Sequence, residues 1–150
     1  MDRLDTLILN ILQDDATMPL RALADMVHAS PTTCQRRIVQ LRASGILLKE
    51  VALVDRVRAG RPLTVFVSVE LAKQNTALLG MFGSLMRHEP DVMECYEVAG
   101  EFDFLLVVTA ASMEHYYEFT RRVFTGNNNV INYKSLFAMN CAKFETKIKL

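Results

Sequence analysis

From Leu63 to Asn140 the apolar residues change their repeat four times, and that order limits the fold more than any other feature of the chain. "LTVFVSVEL" alternates every second residue, as a strand with one buried face does. "NTALLGMFGSLMRHEP" shifts to helical spacing and is closed by Pro90, and "DVMECYEVAG" and "FDFLLVVTA" return to the strand repeat. "SMEHYYEFTRRVF", with Ser112 as its cap, is helical again, and "VINYKSLFAMN" is the last strand. The order βαββαβ predicts a ferredoxin-like antiparallel sheet with both helices on one face. Such a sheet leaves its other face bare, so the chain is expected to cover it with a second copy of itself.

Ahead of this block lies a different pattern. Leu4, Leu7, Ile8, Ile11 and Leu12 form the stripe of an amphipathic helix ending near Asp14 and Asp15. Pro19 opens a second helix of barely two turns, with Leu20, Leu23, Ala24 and Val27 on one side. After the short turn at His28 and Ala29, Ser30 can cap a third helix whose first position is Pro31 and whose C-terminal stop is Gly45. On that helix, steps of about 100° put Cys34, Ile38 and Leu41 on one face and Thr32, Arg36, Val39 and Ala43 opposite, flanked by Gln35 and Gln40. "ILLKEVALVD" then reads as strand with a turn near Lys49 and Glu50, and "RVRAGRP" as a basic connector punctuated by Gly and Pro. The boundary is placed there: residues 1–60 form one domain and 61–150 the other. "GNNN" at 126–129 is turn chemistry.

Charge decides what the third helix could meet. Acidic and basic residues number 17 each, so affinity for a polyanion has to come from segregation. Between Asp25 and Glu50 stand Arg36, Arg37, Arg42 and Lys49 with no acid among them. A helix-turn-helix reader lays its second helix in the major groove of double-stranded DNA, where Arg and Gln can pair bidentately with base edges and neighbouring cations hold phosphate. The candidate DNA-binding residues are therefore Ser30, Thr32, Thr33, Gln35, Arg36, Arg37, Gln40 and Arg42. The same charges would also suit a solvated helix face with no ligand.

Three segments in order, "LDTLILNILQDDAT", "ALADMVHASPTTCQRRIVQLRASGIL" and "VAGEFDFLLVV", resemble the Lrp/AsnC (leucine-responsive and asparagine-responsive, feast/famine) transcription factors over nearly the whole chain. The resemblance implies an α+β chain: a winged helix-turn-helix joined by a β-hairpin to a βαββαβ effector and assembly domain. It also implies homodimers that build higher oligomers, up to an octamer. His28 departs from the glycine that this family often places in the turn, and the Arg36-Arg37 pair is more basic than many members.

"GEFDF" resembles the family's glycine-and-acid effector loop. Its chemistry fits a free amino acid, because glycine lets backbone amides approach a carboxylate and an acid can neutralise an ammonium. The expected effector-binding residues are Tyr96, Val98, Gly100, Glu101, Phe102, Asp103, Ser135 and Phe137, with Leu136, Ala138 and Met139 nearby. That lining is mostly apolar, which favours leucine or methionine as the ligand, and no cofactor is expected. A β-turn with exposed acids is the plainer alternative for the loop, and an architectural DNA-binding protein without effector the alternative for the chain.

No enzyme is indicated. His88, His115 and Cys95 sit at no metal-ligand or nucleophile-base spacing, so no catalytic and no metal site is assigned. Cys34, Cys95 and Cys141 form no CxxC pair and suit a reducing cytoplasm. "MDRLDTLILN" has no basic leader region, and no apolar run approaches the roughly 20 residues that span a bilayer, so neither export nor membrane insertion is expected.

Overall fold

The computed structural model describes residues 1–126 and 129–150, so the middle of the "GNNN" turn lies outside the described residues. Contacts divide the chain into two units, Met1–Leu53 with Ala142–Leu150, and Val54–Cys141.

The first unit is built on three helices, α1 (Arg3–Asp14), α2 (Leu20–Met26) and α3 (Pro31–Ala43). Asp2 and Asp5 start α1 reciprocally: Asp5 N–H donates to the Asp2 carboxylate at 3.0 Å, and Asp2 N–H to that of Asp5 at 2.9 Å. The Ser30 hydroxyl accepts from Thr33 N–H at 3.1 Å and Pro31 occupies the first turn of α3, as its sequence predicts. Ile8, Leu9, Leu23, Ala24, Val27, Cys34, Ile38 and Leu41 meet in one core. Gly45 ends α3 at φ +74°, where a glycine carries no Cβ penalty. His28 takes φ +53° in the α2–α3 turn, a left-handed conformation that strains an L side chain and that a glycine would relieve.

Residues 46–55 depart from the expectation of strand, and the hairpin implied by the resemblance is absent there. A strand exists only against a partner that takes up its N–H and C=O groups, and among the described residues no segment pairs with this one. Leu48, Val51, Leu53 and Val54 are accordingly exposed. "RVRAGRP" is a closed turn rather than an open connector. The Asp55 carboxylate accepts from Val57 and Arg58 N–H, Arg61 N–H donates to the Arg56 carbonyl at 2.8 Å, and Gly60 sits at φ +86°. Residues 142–150, which the sequence reading assigned to the second domain, pack in the first unit. Gln13 exchanges two hydrogen bonds with the Ile148 backbone, and Lys147 reaches the Asp14 carboxylate at 2.5 Å.

The second unit carries β1 (Leu63–Leu71), α4 (Thr76–His88), β2 (Val92–Glu97), β3 (Phe104–Ala110), α5 (Met113–Thr120) continued by a π-helical turn (Arg121–Thr125), and β4 (Val130–Phe137). The strands lie in the order β2-β3-β1-β4, all antiparallel, which is the ferredoxin-like arrangement. Val65, Val67, Val69 and Leu71 of β1 alternate inward with Phe104, Leu106, Val108 and Ala110 of β3, against Phe82, Met86, Tyr116, Phe119 and Phe124 from the helical layer. The opposite side of the sheet carries Phe66, Ser68 and Glu70 on β1, Leu105 and Val107 on β3, and Asn132, Lys134 and Leu136 on β4. Among the described residues of this unit, nothing covers that side.

One buried charge anchors the edge of the sheet. The Asp91 carboxylate accepts hydrogen bonds from Arg61 and Arg122 and lies 3.2 Å from His115 Nε2, whose Nδ1 accepts from Ala111 N–H. Arg61 also donates to the Thr109 carbonyl and hydroxyl. Burial works against the charge on Asp91, yet the hydrogen bonds from Arg61 and Arg122, with the neighbouring His115 and the Arg61 charge, hold its carboxyl below the usual carboxylate value. The closed turn after Asp55 is thereby tied to β3 at its exit.

Candidate functional site

The eight candidate residues of α3 separate into two groups. Arg37 turns back onto α1, where its guanidinium meets the Asp2 carboxylate at 2.8 Å and the Asp5 carboxylate at 3.3 Å. Arg42 pairs with Glu50 at 2.7 Å. Ser30 caps the helix and shares a second hydrogen bond with the Thr33 hydroxyl. Each of these four side chains thus has a partner within the unit, which the wheel, seeing only α3, could not name. Thr32, Gln35, Arg36 and Gln40 remain exposed and, among the described residues, make no side-chain hydrogen bond or ion pair. They project one guanidinium, two amides and a hydroxyl from a helix whose other face is fixed by Cys34, Ile38 and Leu41. That is a set of donors and acceptors without partners, held on a rigid element.

Arg21, at the second position of α2, is also exposed and unpaired among the described residues, and sequence reasoning did not single it out. The signal was present: the first helix of a helix-turn-helix crosses the phosphate backbone, and a cation in its first turn suits that position.

The loop from Val98 to Asp103 is tightly tied. Val98 N–H donates to the Asp103 carbonyl and Asp103 N–H to the Val69 carbonyl, both at 2.9 Å. The Asp103 side chain is buried and accepts from Leu71 N–H at 2.7 Å, so its carboxylate shapes the loop instead of facing a ligand. Gly100 has an ordinary φ and open space where a Cβ would stand. Glu101 and Phe102 line a small cavity of about 80 Å³ together with Ser68, Glu70, Asn132 and Lys134 from the uncovered side of the sheet. Glu70, Glu101 and Lys134 form no ion pair with one another or with any other described residue, leaving two carboxylates and one ammonium around one hollow.

The other expected effector residues lie elsewhere. Ser135 shares a 2.5 Å hydrogen bond with the Tyr116 hydroxyl, and Phe137 packs edge-on against the Tyr116 ring with centroids 5.3 Å apart. Both thus belong to the helix-facing side of β4, opposite Lys134 and Leu136, because adjacent strand residues point to opposite faces. Tyr96 is on β2, beyond β3 from the cavity, and donates to the Glu94 carboxylate at 2.6 Å, a bond that pushes its phenol pKa up. Val98 is half-buried behind the loop. Strand alternation alone would have put Ser68 and Glu70 opposite Val67 and Val69; the β1–β4 register that brings Lys134 beside Ser68 is a tertiary fact.

His88, His115 and Cys95 each have a structural place. His88 Nδ1 bonds to the Ser84 carbonyl, His115 serves Asp91, and burial pushes the Cys95 thiol pKa up. Among the described residues no group of three His, Cys, Asp or Glu could hold a metal ion, and no helix is long and apolar enough to cross a membrane.

Comparison with known proteins matches both units to family models. Residues 1–42 match the AsnC-type helix-turn-helix domain and residues 64–148 the Lrp/AsnC ligand binding domain. An HTH-type transcriptional regulator from Haemophilus influenzae is 47% identical over 150 residues, covering 100% of this chain and 89% of that protein. The crystal structure of an AsnC family transcriptional regulator from Agrobacterium tumefaciens superposes with a TM-score of 0.92 at 36% identity, covering 99% of this chain and 97% of the other. A transcriptional regulator from Neisseria meningitidis, solved in complex with L-methionine, gives a TM-score of 0.90 at 26% identity over 99% of this chain and 96% of its own.

Proposed function

Because the chain belongs to the Lrp/AsnC family of transcriptional regulators, non-enzymatic proteins that join a DNA-binding helix-turn-helix to a ligand-binding domain, we propose that it regulates transcription in response to a free amino acid. Thr32, Gln35, Arg36 and Gln40 are the base-reading set, with Arg21 on phosphate. The single observation that carries the DNA half is this unpaired donor and acceptor face on α3, left over after Arg37 and Arg42 are engaged inside the unit.

The effector half rests on the cavity at Glu101 and Phe102. Glu70 and Glu101 suit the α-ammonium of an amino acid and Lys134 its α-carboxylate, while Asp103 keeps the loop in shape. Phe66 and Leu136 pair across β1 and β4 on the same side of the sheet, two residues from Ser68 and Lys134, and would take an apolar side chain such as that of leucine or methionine. The methionine complex of the Neisseria meningitidis regulator supports that ligand class.

The protein acts in the cytoplasm as a homodimer that builds higher oligomers, up to an octamer. The bare sheet side and the exposed Leu48, Val51, Leu53 and Val54 supply the apolar surface for such contacts. A ligand seated at a subunit boundary changes DNA binding only through unequal affinity for two assembly states. Calorimetry with the twenty amino acids, with light scattering on the same samples, tests the reading. The expected result is heat for leucine or methionine and a mass well above the 17.0 kDa chain. No heat for any amino acid favours an architectural DNA-binding role, and a stable monomer refutes the shared effector site.

A further inference from the structure

We infer that the groove between α4 and the edge strand β2 is a second binding site for a free α-amino acid, with Arg87 on its carboxylate and Glu97 on its ammonium. The register of the sheet builds it. Cys95 and Glu97 stand opposite Leu106 and Phe104 of β3, which face the helical layer, so both side chains point to that side as well. There they meet Gly83, Met86 and Arg87 of α4 around a hollow of about 400 Å³. Small-molecule sites measure roughly 300–1,000 Å³, so the space suits one compact ligand. The cavity of Glu70, Glu101 and Lys134 belongs to the uncovered side of the same sheet, so the two are distinct and this inference does not depend on that one.

The groove carries both signs of charge. Arg87 and Glu97 are exposed, and neither makes an ion pair with any described residue. Glu94, which also borders the hollow, already accepts from the Tyr96 hydroxyl at 2.6 Å. One guanidinium and one carboxylate are thus left to act. Both reach the cavity wall: burial pushes the Cys95 thiol up, the Arg87 charge draws it down, and the Glu97 charge pushes it up. Met86 and Phe104, 1% and 2% exposed, add a buried apolar lining. A guanidinium takes a carboxylate through paired hydrogen bonds and a carboxylate takes an ammonium, so a ligand with both ends charged and an apolar side chain answers each of these groups. A simple anion would leave Glu97 unanswered, and the interior of a peptide offers neither charge. Gly83 keeps the hollow open: it sits inside α4, where glycine is disfavoured, and no atom lies within 4 Å of where its Cβ would stand.

Cys95 reports occupancy, because its alkylation by iodoacetamide requires access through the groove. Peptide mass spectrometry on the full chain reads it separately from Cys34 and Cys141. Methionine, leucine and phenylalanine are the probes, each beside its N-acetyl form and its decarboxylated amine, which lack one charge apiece. At least one of the three amino acids should slow Cys95 alkylation severalfold at saturation, with no effect from its singly charged forms. Arg87→Gln and Glu97→Gln change exposed side chains, leave the core intact, and should each raise the concentration needed about tenfold. Gly83→Leu fills the hollow, so it should slow alkylation without ligand and melt no lower than the wild type. Lys134→Met should keep the protection in full. No protection by any of the three, equal protection by a singly charged form, or unchanged protection in both Gln variants overturns the site. Protection lost in Lys134→Met but kept in Arg87→Gln assigns the effect to the other cavity and also overturns it. Protection kept in Lys134→Met, with calorimetry unaltered by that substitution, removes the Lys134 cavity as an effector site and leaves this one standing.

Discussion

Arg36 and Arg37 are neighbours in sequence, yet the structure predicts opposite readouts for them. Arg37→Ala removes a guanidinium 3.3 Å from Asp5, whose side chain is only 10% exposed, while Arg37 itself is 28% exposed. Hydrogen bonds to charged groups contribute about 1.5–3 kcal/mol and exposed ion pairs about 0–1 kcal/mol, so a partly buried contact of this length falls near 1.5 kcal/mol. The Asp2 arm is open to solvent and is given no share of this cost, and the Arg37 Nε, buried without a partner, keeps the figure at the lower end. For a cooperative unit of this size about 1 kcal/mol moves the midpoint by roughly 4–8 °C, so the helical unit should melt about 6–12 °C lower. Arg36→Ala should leave melting unchanged and weaken specific DNA binding by about 1–3 kcal/mol if it reads a base, or lower the salt slope by about one if it holds phosphate. Calorimetric melting of the full chain, paired with gel shifts at several salt concentrations, reads both. An Arg37→Ala protein that melts like the wild type but no longer binds DNA would refute the division of α3 into an inner and an outer arginine.

Asp103→Ala strips Leu71 N–H of its buried acceptor and should cost about 1–3 kcal/mol in urea unfolding. Calorimetry should show amino-acid affinity about tenfold lower in the same variant, with DNA binding in the absence of effector kept. Lys134→Met should reduce affinity for an amino acid about tenfold while leaving that for its decarboxylated amine unchanged, because only the former carries the carboxylate; equal losses for both would place the carboxylate elsewhere. Asp91 has a lowered carboxyl pKa, so its contribution to stability is present above the ordinary carboxylate range and is lost as pH falls through the folded value. Melting temperature measured from pH 6 down to pH 3 should therefore fall less steeply in Asp91→Asn than in the wild type.

Local pattern alone determined the elements that carry their own signals. The capping pair Ser30 and Pro31, the stop at Gly45, and the alternation of Val65, Val67 and Val69 depend on neighbours within a few residues, so the helices were legible to within about two residues, while β2 and β4 each end three residues before the limits read from sequence. The order βαββαβ then fixed the sheet, because few packings connect it without crossings. What tertiary structure alone decided were the partners of long side chains and of unpaired backbone. Arg37 borders the Cys34, Ile38 and Leu41 stripe on a wheel of α3, but the wheel does not show that α1 brings Asp5 within its reach. Lys134 joins Glu70 and Glu101 through the β1–β4 register, while Ser135, one residue on, faces Tyr116. "ILLKEVALVD" has strand composition but no strand, because pairing is a property of two segments and among the described residues none pairs with it. Nothing in "KFETKIKL" names Gln13 as its partner: residues 135 positions apart meet only once the chain has folded, and sequence periodicity carries no information at that separation.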